Sequence, residues 1–386
     1  MLNDNIFFRV SIVGDFFGGG KMASVFDASP TPDSILDRIL LEEIGKADLA
    51  IVNLESPLTQ STIPIAKSGP SLKASSETAN FLVKAGFDLA TLANNHIMDF
   101  GVRGLNDTFD SLIENNLAFV GAGCSDTTAG EPYFTQSKER TLAVLNFCEN
   151  EWSTTYGQNP GANPLDPIQN YHQIKSVKEE SDFVLVIVHG GHEHYQLPSP
   201  RLKKLYRFYA EAGADAVVGH HSHCISGYES YGGVPIFYSL GNFLFFKDGC
   251  LNQPWNKGLM LHLKFSEAGC DFDWTHFNQM NQNFTVEAVS IAESDLRNHY
   301  LLALNEIIQS GERLNEAYQE WLKKRYRTYR AFLEPHSCHF LNFLQNRNLL
   351  PSLWSREKRL YLQNLIRCEA HRDVVLNLLE DENSHS

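Results

Sequence analysis

Five times before residue 224 an apolar, β-branched run stops on a side chain able to bind a cation. That repetition constrains the fold more than any single motif. Ile6–Val13 runs into Gly14-Asp15, and Asp48–Val52 into Asn53-Leu54-Glu55. Phe87–Ala93 leads to Asn94-Asn95-His96, Asp182–Val188 to His189, and Ala214–Val218 to Gly219-His220-His221-Ser222-His223. Short, continuously apolar runs alternate with helical segments near 33–43, 76–85, 104–115 and 200–212, which predicts buried strands of an α/β domain. In such folds the carboxyl ends of the strands form the crevice in which sites lie. The ligand-type residues are therefore expected along one edge.

Asp, Glu, Asn and His together suit one or two divalent transition ions (Mn, Fe or Zn) and neither Ca nor a thiolate site. Charge points the same way. The net charge of −14 argues against nucleic acid as a partner. Residues 291–386 hold 13 basic and 13 acidic side chains, leaving 19 basic and 33 acidic in residues 1–290. An acidic region of that kind needs bound cations to handle an anionic small-molecule or polymer substrate. Seven cysteines, odd in number and without a C-x-x-C pair, read as reduced thiols. No basic leader and no apolar run of membrane-spanning length occurs, so a cytoplasmic protein without a membrane span is expected.

The stretch 149–172, with Trp152, Tyr156, Pro160, Pro164 and Pro167, reads as a long irregular loop. Residues 225–246 suggest two or three strands around Tyr231-Gly-Gly-Val, and 258–266 a closing strand. Beyond 291 the apolar spacing turns helical (Leu296, Tyr300, Leu301, Leu304, Ile307, Ile308), with breaks at Pro335 and Pro351. The expected division is a site-bearing domain over 1–268, a connecting segment over 269–290 and a helical extension over 291–386.

Taken in order, Gly14-Asp15, Asn53-Leu54-Glu55, Ala93-Asn94-Asn95-His96-x-x-Asp99-x-Gly101, His189-x-Gly191-x-Glu193, Gly219-x-His221-x-His223 and Tyr238-Ser-Leu-Gly-Asn-Phe243 resemble the bacterial capsule-synthesis (CapA, poly-gamma-glutamate synthesis) proteins. Those are similar in turn to calcineurin-like metallophosphoesterases. The resemblance covers about residues 6–265. It implies a two-sheet α-β-β-α sandwich of the metallophosphoesterase type with a helical C-terminal extension. It also implies a first metal on Asp15, Glu55 and His223, and a second on Glu55, Asn95, His189 and His221, with Glu55 bridging. His96 would be the general acid, oriented by Asp99. Phe17 stands where phosphoesterases place a ligand His, and Glu193 is the candidate to fill that gap, as ligand or as an outer residue. His192, His194 and His220 are expected to be loop or structural histidines, and Tyr238–Phe243 to support the His loop. The implied function is metal-dependent hydrolysis, of a phosphate ester or of an amide in a glutamyl polymer, among capsule or envelope biosynthesis partners. A non-catalytic role in polymer assembly is the third reading.

Overall fold

The structure, a computed structural model, describes residues 6–250, 253–279, 284–333 and 355–380, with isolated positions between 334 and 354. Pro335, Pro351 and Cys338 lie outside the described residues. Among those described, the six other cysteines are free thiols, and no helix is long and apolar enough to cross a membrane.

Two sheets form the body. The first contains, in spatial order, β16 (Glu287–Ala288), β15 (Gly269–Asn278), β14 (Lys257–Ser266), β1 (Phe8–Phe17), β2 (Leu49–Leu54), β3 (Leu89–Thr91) and β4 (Ala118–Val120). Strand β13 (Asn242–Phe245) pairs in parallel with the end of β1. The second sheet runs β11 (Tyr228–Tyr231), β12 (Val234–Phe237), β10 (Ala216–His220), β9 (Phe183–His189), β7 (Arg140–Cys148) and β6 (Tyr133–Ser137). A two-stranded piece, β5 (Ala122–Gly123) with β8 (Gly161–Ala162), stands apart.

Side-chain alternation along the strands makes three apolar layers. On β2, Leu49 and Ile51 join Val10, Ile12, Leu185, Ile187 and Val218 between the sheets. Ala50 and Val52 face the other way, against Leu40, Ile44, Phe81, Leu105 and Leu112 of the outer helices. Val184 and Val186 of β9 likewise face Ile174, Leu202, Tyr206 and Tyr209. This is an α-β-β-α sandwich, and the alternation is why one residue's slip would turn a strand inside out.

Three sequence expectations change. Residues 167–172, expected to be irregular, open the helix Pro167–Glu180, capped by the Asp166 carboxylate on the Ile168 and Gln169 amides with Pro167 in its first turn. The segment 269–290 is not a connector, because β15 pairs with the whole of β14 and carries β16. The helix Ile291–Gln309 is not an extension either. Leu301 and Leu304 sit in the layer between the sheets, Asn305 Oδ1 accepts from the Tyr228 amide at 2.7 Å, and Arg297 donates to the Phe277 carbonyl at 2.9 Å. The chain divides later, into Met1–Ile65 with Ser71–Asn315, and Ala66–Pro70 with Glu316–Ser386. Within the second unit the helices Arg356–Arg367 and Glu369–Glu380 follow one another, and Tyr329 bonds His371 at 2.6 Å.

Asp15 was expected at the tip of its strand. It lies instead at an irregularity, where β1 shifts register against β2 and gains β13 on its other edge, Asp15 standing opposite both Asn53 and Asn242. Gly14 permits this crossing, since a Cβ there would collide with the Gly241 carbonyl oxygen. Gly14→Ala is expected to cost about 3 kcal/mol of stability, at the upper end of overpacking penalties, measured by urea denaturation.

Candidate metal centre

Strand ends from both sheets deliver the candidate ligands to one buried cluster. Asp15 and Glu55 come from the first sheet and have no exposure, while His189, His221 and His223 come from the second and are buried. Two groups of donor atoms converge, each within 4.8 Å: Asp15 with Glu55 and His223, and Glu55 with His189 and His221. Glu55 is common to both. Asn95 completes the second group, its Oδ1 lying 3.0 Å from His189 Nε2. That same nitrogen is 3.1 Å from His221 Nδ1 and 3.6 Å from Glu55 Oε1. Metal–ligand bonds of about 2.1 Å set neighbouring donors about 3.0–3.4 Å apart, so this half has the spacing a transition ion requires.

The backbone of the His loop is strained to make this possible. His221 (φ 91°) and His223 (φ 54°) both adopt the left-handed region, which disfavours non-glycine residues and clusters at functional sites. The Asp15 carboxylate accepts the His221 amide at 3.3 Å and helps hold the turn. Gly219 is required behind it, since a Cβ would collide with the Tyr238 carbonyl oxygen.

Neighbouring amides aim the ligand-type groups. Asn53 Nδ2 donates to Asp15 Oδ1 at 2.7 Å and reaches His189 Nδ1 at 3.1 Å. Asn242 Oδ1 lies 2.9 Å from His223 Nδ1, and its amide also donates to the His223 carbonyl. Asn94 donates to the Leu54 carbonyl and accepts from the His96 amide. Glu149, buried, accepts from the Gly191 amide at 2.9 Å and pairs with Arg201, so it anchors the loop after β9. Gly190 is glycine because a Cβ would press on Glu149 Cγ at 2.8 Å. Glu149 was not singled out from sequence, and Asn242 entered only within the Tyr238–Phe243 motif expected to support the His loop. Each is a polar residue at the end or start of a buried strand, which was the available signal.

His96 stands beside the cluster, with Nδ1 2.6 Å from Asp99 Oδ2. Asp99, fully buried, also accepts the Leu72 amide at 2.6 Å. Glu193 does not join either converging group among the described residues. Its side chain keeps 52% of its exposure and stands 4.0 Å from His194. Partial burial would raise its carboxyl, but the imidazoles of His223, His221, His194 and His96 outweigh that and hold it at about 2. Phe17, in the position of the missing His, packs its ring 4.9 Å from Phe245 and against Trp255. His192 is buried near Tyr195, and His220 is buried 4.0 Å from Asp15.

Electrostatics show what the cluster lacks. Among the described residues neither oxygen of Glu55 has a hydrogen-bond partner, although both are buried. A buried carboxylate without a partner is costly, and a cation is the partner these oxygens fit. Burial, reinforced by the charges of Asp15 and Glu193, pushes the Glu55 carboxyl well above its usual range against the pull of His223. Burial lowers His189. Burial would also lower His223, but Glu55 and Asp15 prevail and raise it to about 10. Burial would raise Asp15, yet the His223 hydrogen bond and the surrounding imidazoles hold it below its usual range. The Glu55–His223 pair therefore keeps a proton at neutral pH. A cation entering the centre must expel it. Titration calorimetry with zinc near neutral pH, in buffers of different ionisation enthalpy, is expected to show release of at least one proton; buffer-independent heats would contradict this.

Comparison with known proteins agrees with the sequence motifs. Residues 9–247 match the family described as "Bacterial capsule synthesis protein PGA_cap". The chain is 34% identical over 269 residues to the "PGA biosynthesis protein CapA" of Bacillus subtilis, covering 67% of this chain and 68% of that one. It is 30% identical over 257 residues to the "Capsule biosynthesis protein CapA" of Bacillus anthracis, covering 64% and 61%. A hypothetical protein from Thermus thermophilus aligns over 70% of this chain and 99% of its own, with TM-score 0.44 and 15% identity. The chain belongs to the bacterial capsule-synthesis (PGA_cap) family.

Proposed function

We propose that the protein is a metal-dependent hydrolase of capsule or other cell-envelope polymer metabolism, acting most simply on a phosphate ester. The observation that carries this reading is the buried Glu55 carboxylate, without a hydrogen bond among the described residues and common to two groups of converging donors. Asp15, Glu55 and His223 would hold one divalent ion, and Glu55, Asn95, His189 and His221 a second. Such ions supply Lewis-acid polarisation and a water acidic enough to attack at neutral pH.

The chain's own residues supply the rest. Asn53 and Asn242 fix the orientation of His189 and His223, so the donors are preorganised. Glu149 keeps the loop after β9 against the centre. His96, next to Asn95 in the chain and hydrogen-bonded to Asp99, would give a proton to a leaving oxygen. Asp99 stabilises the protonated ring and holds Nε2 outward. Phe17, Phe245 and Trp255 wall one side with apolar surface, which limits water.

A second reading, which follows from the family resemblance of the sequence motifs, has the same centre cleave an amide of a glutamyl polymer. The test is reconstitution with Mn, Fe or Zn, elemental analysis, then assay on a phosphomonoester, a phosphodiester and a γ-glutamyl anilide. Phosphoester turnover supports the first reading, and anilide turnover alone the second. Bound metal without turnover on any of them points to a binding role in polymer assembly.

A further inference from the structure

Resting on that hydrolase reading, we propose that Lys247 is its substrate-reading residue. It receives an anionic oxygen group, carboxylate or phosphate, borne by the substrate next to the bond to be cleaved.

The placement follows from β13. The strand that supplies Asn242 to His223 ends at Phe245, so Lys247 is carried two residues beyond it, exposed and over the Trp255 ring. Its ammonium lies 4.3 Å from the centroid of the Trp255 ring. That ring is 4.5 Å from the His223 ring, and its indole N–H donates to the Phe245 carbonyl at 2.8 Å. One aromatic ring therefore separates the ammonium from an imidazole of the cluster. On its other side Lys247 Nζ approaches His194 Nε2 at 3.4 Å. The same His194 nitrogen stands 4.0 Å from the Glu193 carboxylate. His194 is held for the contact by a left-handed backbone (φ 61°) and by its amide bond to the Ser222 carbonyl at 2.8 Å.

Neither partner neutralises the charge. Both are rings, and the adjacent Asp248 is taken by Lys21 at 2.6 Å. Elsewhere the neighbourhood is acidic: Asp15, Glu55 and Asp99 lie buried, and Glu193 stands at the mouth. An anionic substrate needs a fixed cation on its approach in addition to those in the centre, and Lys247 is oriented to be that cation. A lysine that merely kept the surface solvated would not require a strained His194 and an aromatic face to hold it.

The test uses the full chain loaded with manganese. Lys247→Met keeps the apolar stem over Trp255 and removes the charge, and Lys247→Arg restores it. Metal content is checked first. Calorimetric binding of inorganic phosphate and of a γ-glutamyl-glutamate dipeptide then reads the site without any turnover. Lys247→Met is expected to weaken at least one of them about tenfold, with Lys247→Arg restoring most of it, as suits one charge-assisted contact. The ligand that weakens tells phosphate from carboxylate. Where turnover is present, the ratio of kcat/KM between esters with and without a neighbouring carboxylate should fall by the same factor. Unchanged binding of both anions, or an equal loss on charged and uncharged esters, overturns the proposal. Failure of the hydrolase reading would appear separately, as absent turnover with anion binding still dependent on Lys247.

Discussion

Glu55→Gln is expected to abolish turnover and to remove the response of the protein to metal. Glu55 belongs to both donor groups, so its loss weakens each, whereas a change at His221 touches one. Loss of the charge stabilisation that metal supplies corresponds to a fall in rate on the order of 10³ or more. A bound ion present at 1,000 times its dissociation constant stabilises the fold by about 4 kcal/mol, or about 10 °C in Tm for a domain of this size. The wild-type protein should therefore gain that shift on adding manganese, and the variant should not.

The same substitution has a signature without metal. His223 is raised to about 10, above its unfolded value of about 6.5. The stability it contributes is fully present below about pH 6.5 and is lost as pH rises through about 10, at most about 1.4 kcal/mol per pH unit. Burial opposes this shift, and Glu55 is the strongest influence producing it. Metal-free wild type should thus lose stability across that window, and Glu55→Gln should flatten the loss. Parallel pH–stability curves for the two proteins would refute the coupling.

His96→Ala has the second largest expected effect and a different pattern. Metal should stay bound, because His96 lies outside both donor groups. On an ester with a poor leaving group the rate should fall about 10²–10⁴-fold, the usual worth of a positioned acid. On a leaving group that departs as a stable anion the loss should be much smaller. Asp99→Asn should give an intermediate loss, since an amide can still accept from the ring and from Leu72 but cannot stabilise an imidazolium. Equal losses for both leaving groups would show that His96 shapes the pocket and does not move a proton.

Much of this architecture was legible in the sequence because buried strands announce themselves. Val-Leu-Val-Ile-Val before His189 and Ala-Val-Val before Gly219 are too short and too β-branched for helices. Their polar ends could only meet at a sheet edge. What could not be read depends on partners distant in sequence. Asp15 sits at a register shift against β2 while β13, beginning at Asn242, succeeds β14 on the other edge of β1. The helix at Pro167 was hidden because its buried face is sparse, only Asn170, Ile174 and Val177, although Asp166-Pro167 is a start signal. The Ile291–Gln309 helix looked detachable because periodicity shows that a helix has an apolar face but not what that face covers. Glu193 illustrates the same limit. Its spacing from His189 put it on the right loop, and only the fold shows its side chain at the mouth.

The donors are drawn from both layers of the sandwich, which has a mechanical consequence. Asp15, Glu55 and Asn95 ride on the first sheet, His189, His221 and His223 on the second. At that edge the facing side chains include buried carboxylates, amides and imidazoles. A cation there would act as a rivet through the two plates. Without it, the far end would stay clamped by its aliphatic filling, while this end would be joined by polar contacts across the layers such as Asn53 with His189 and Asn95 with His189.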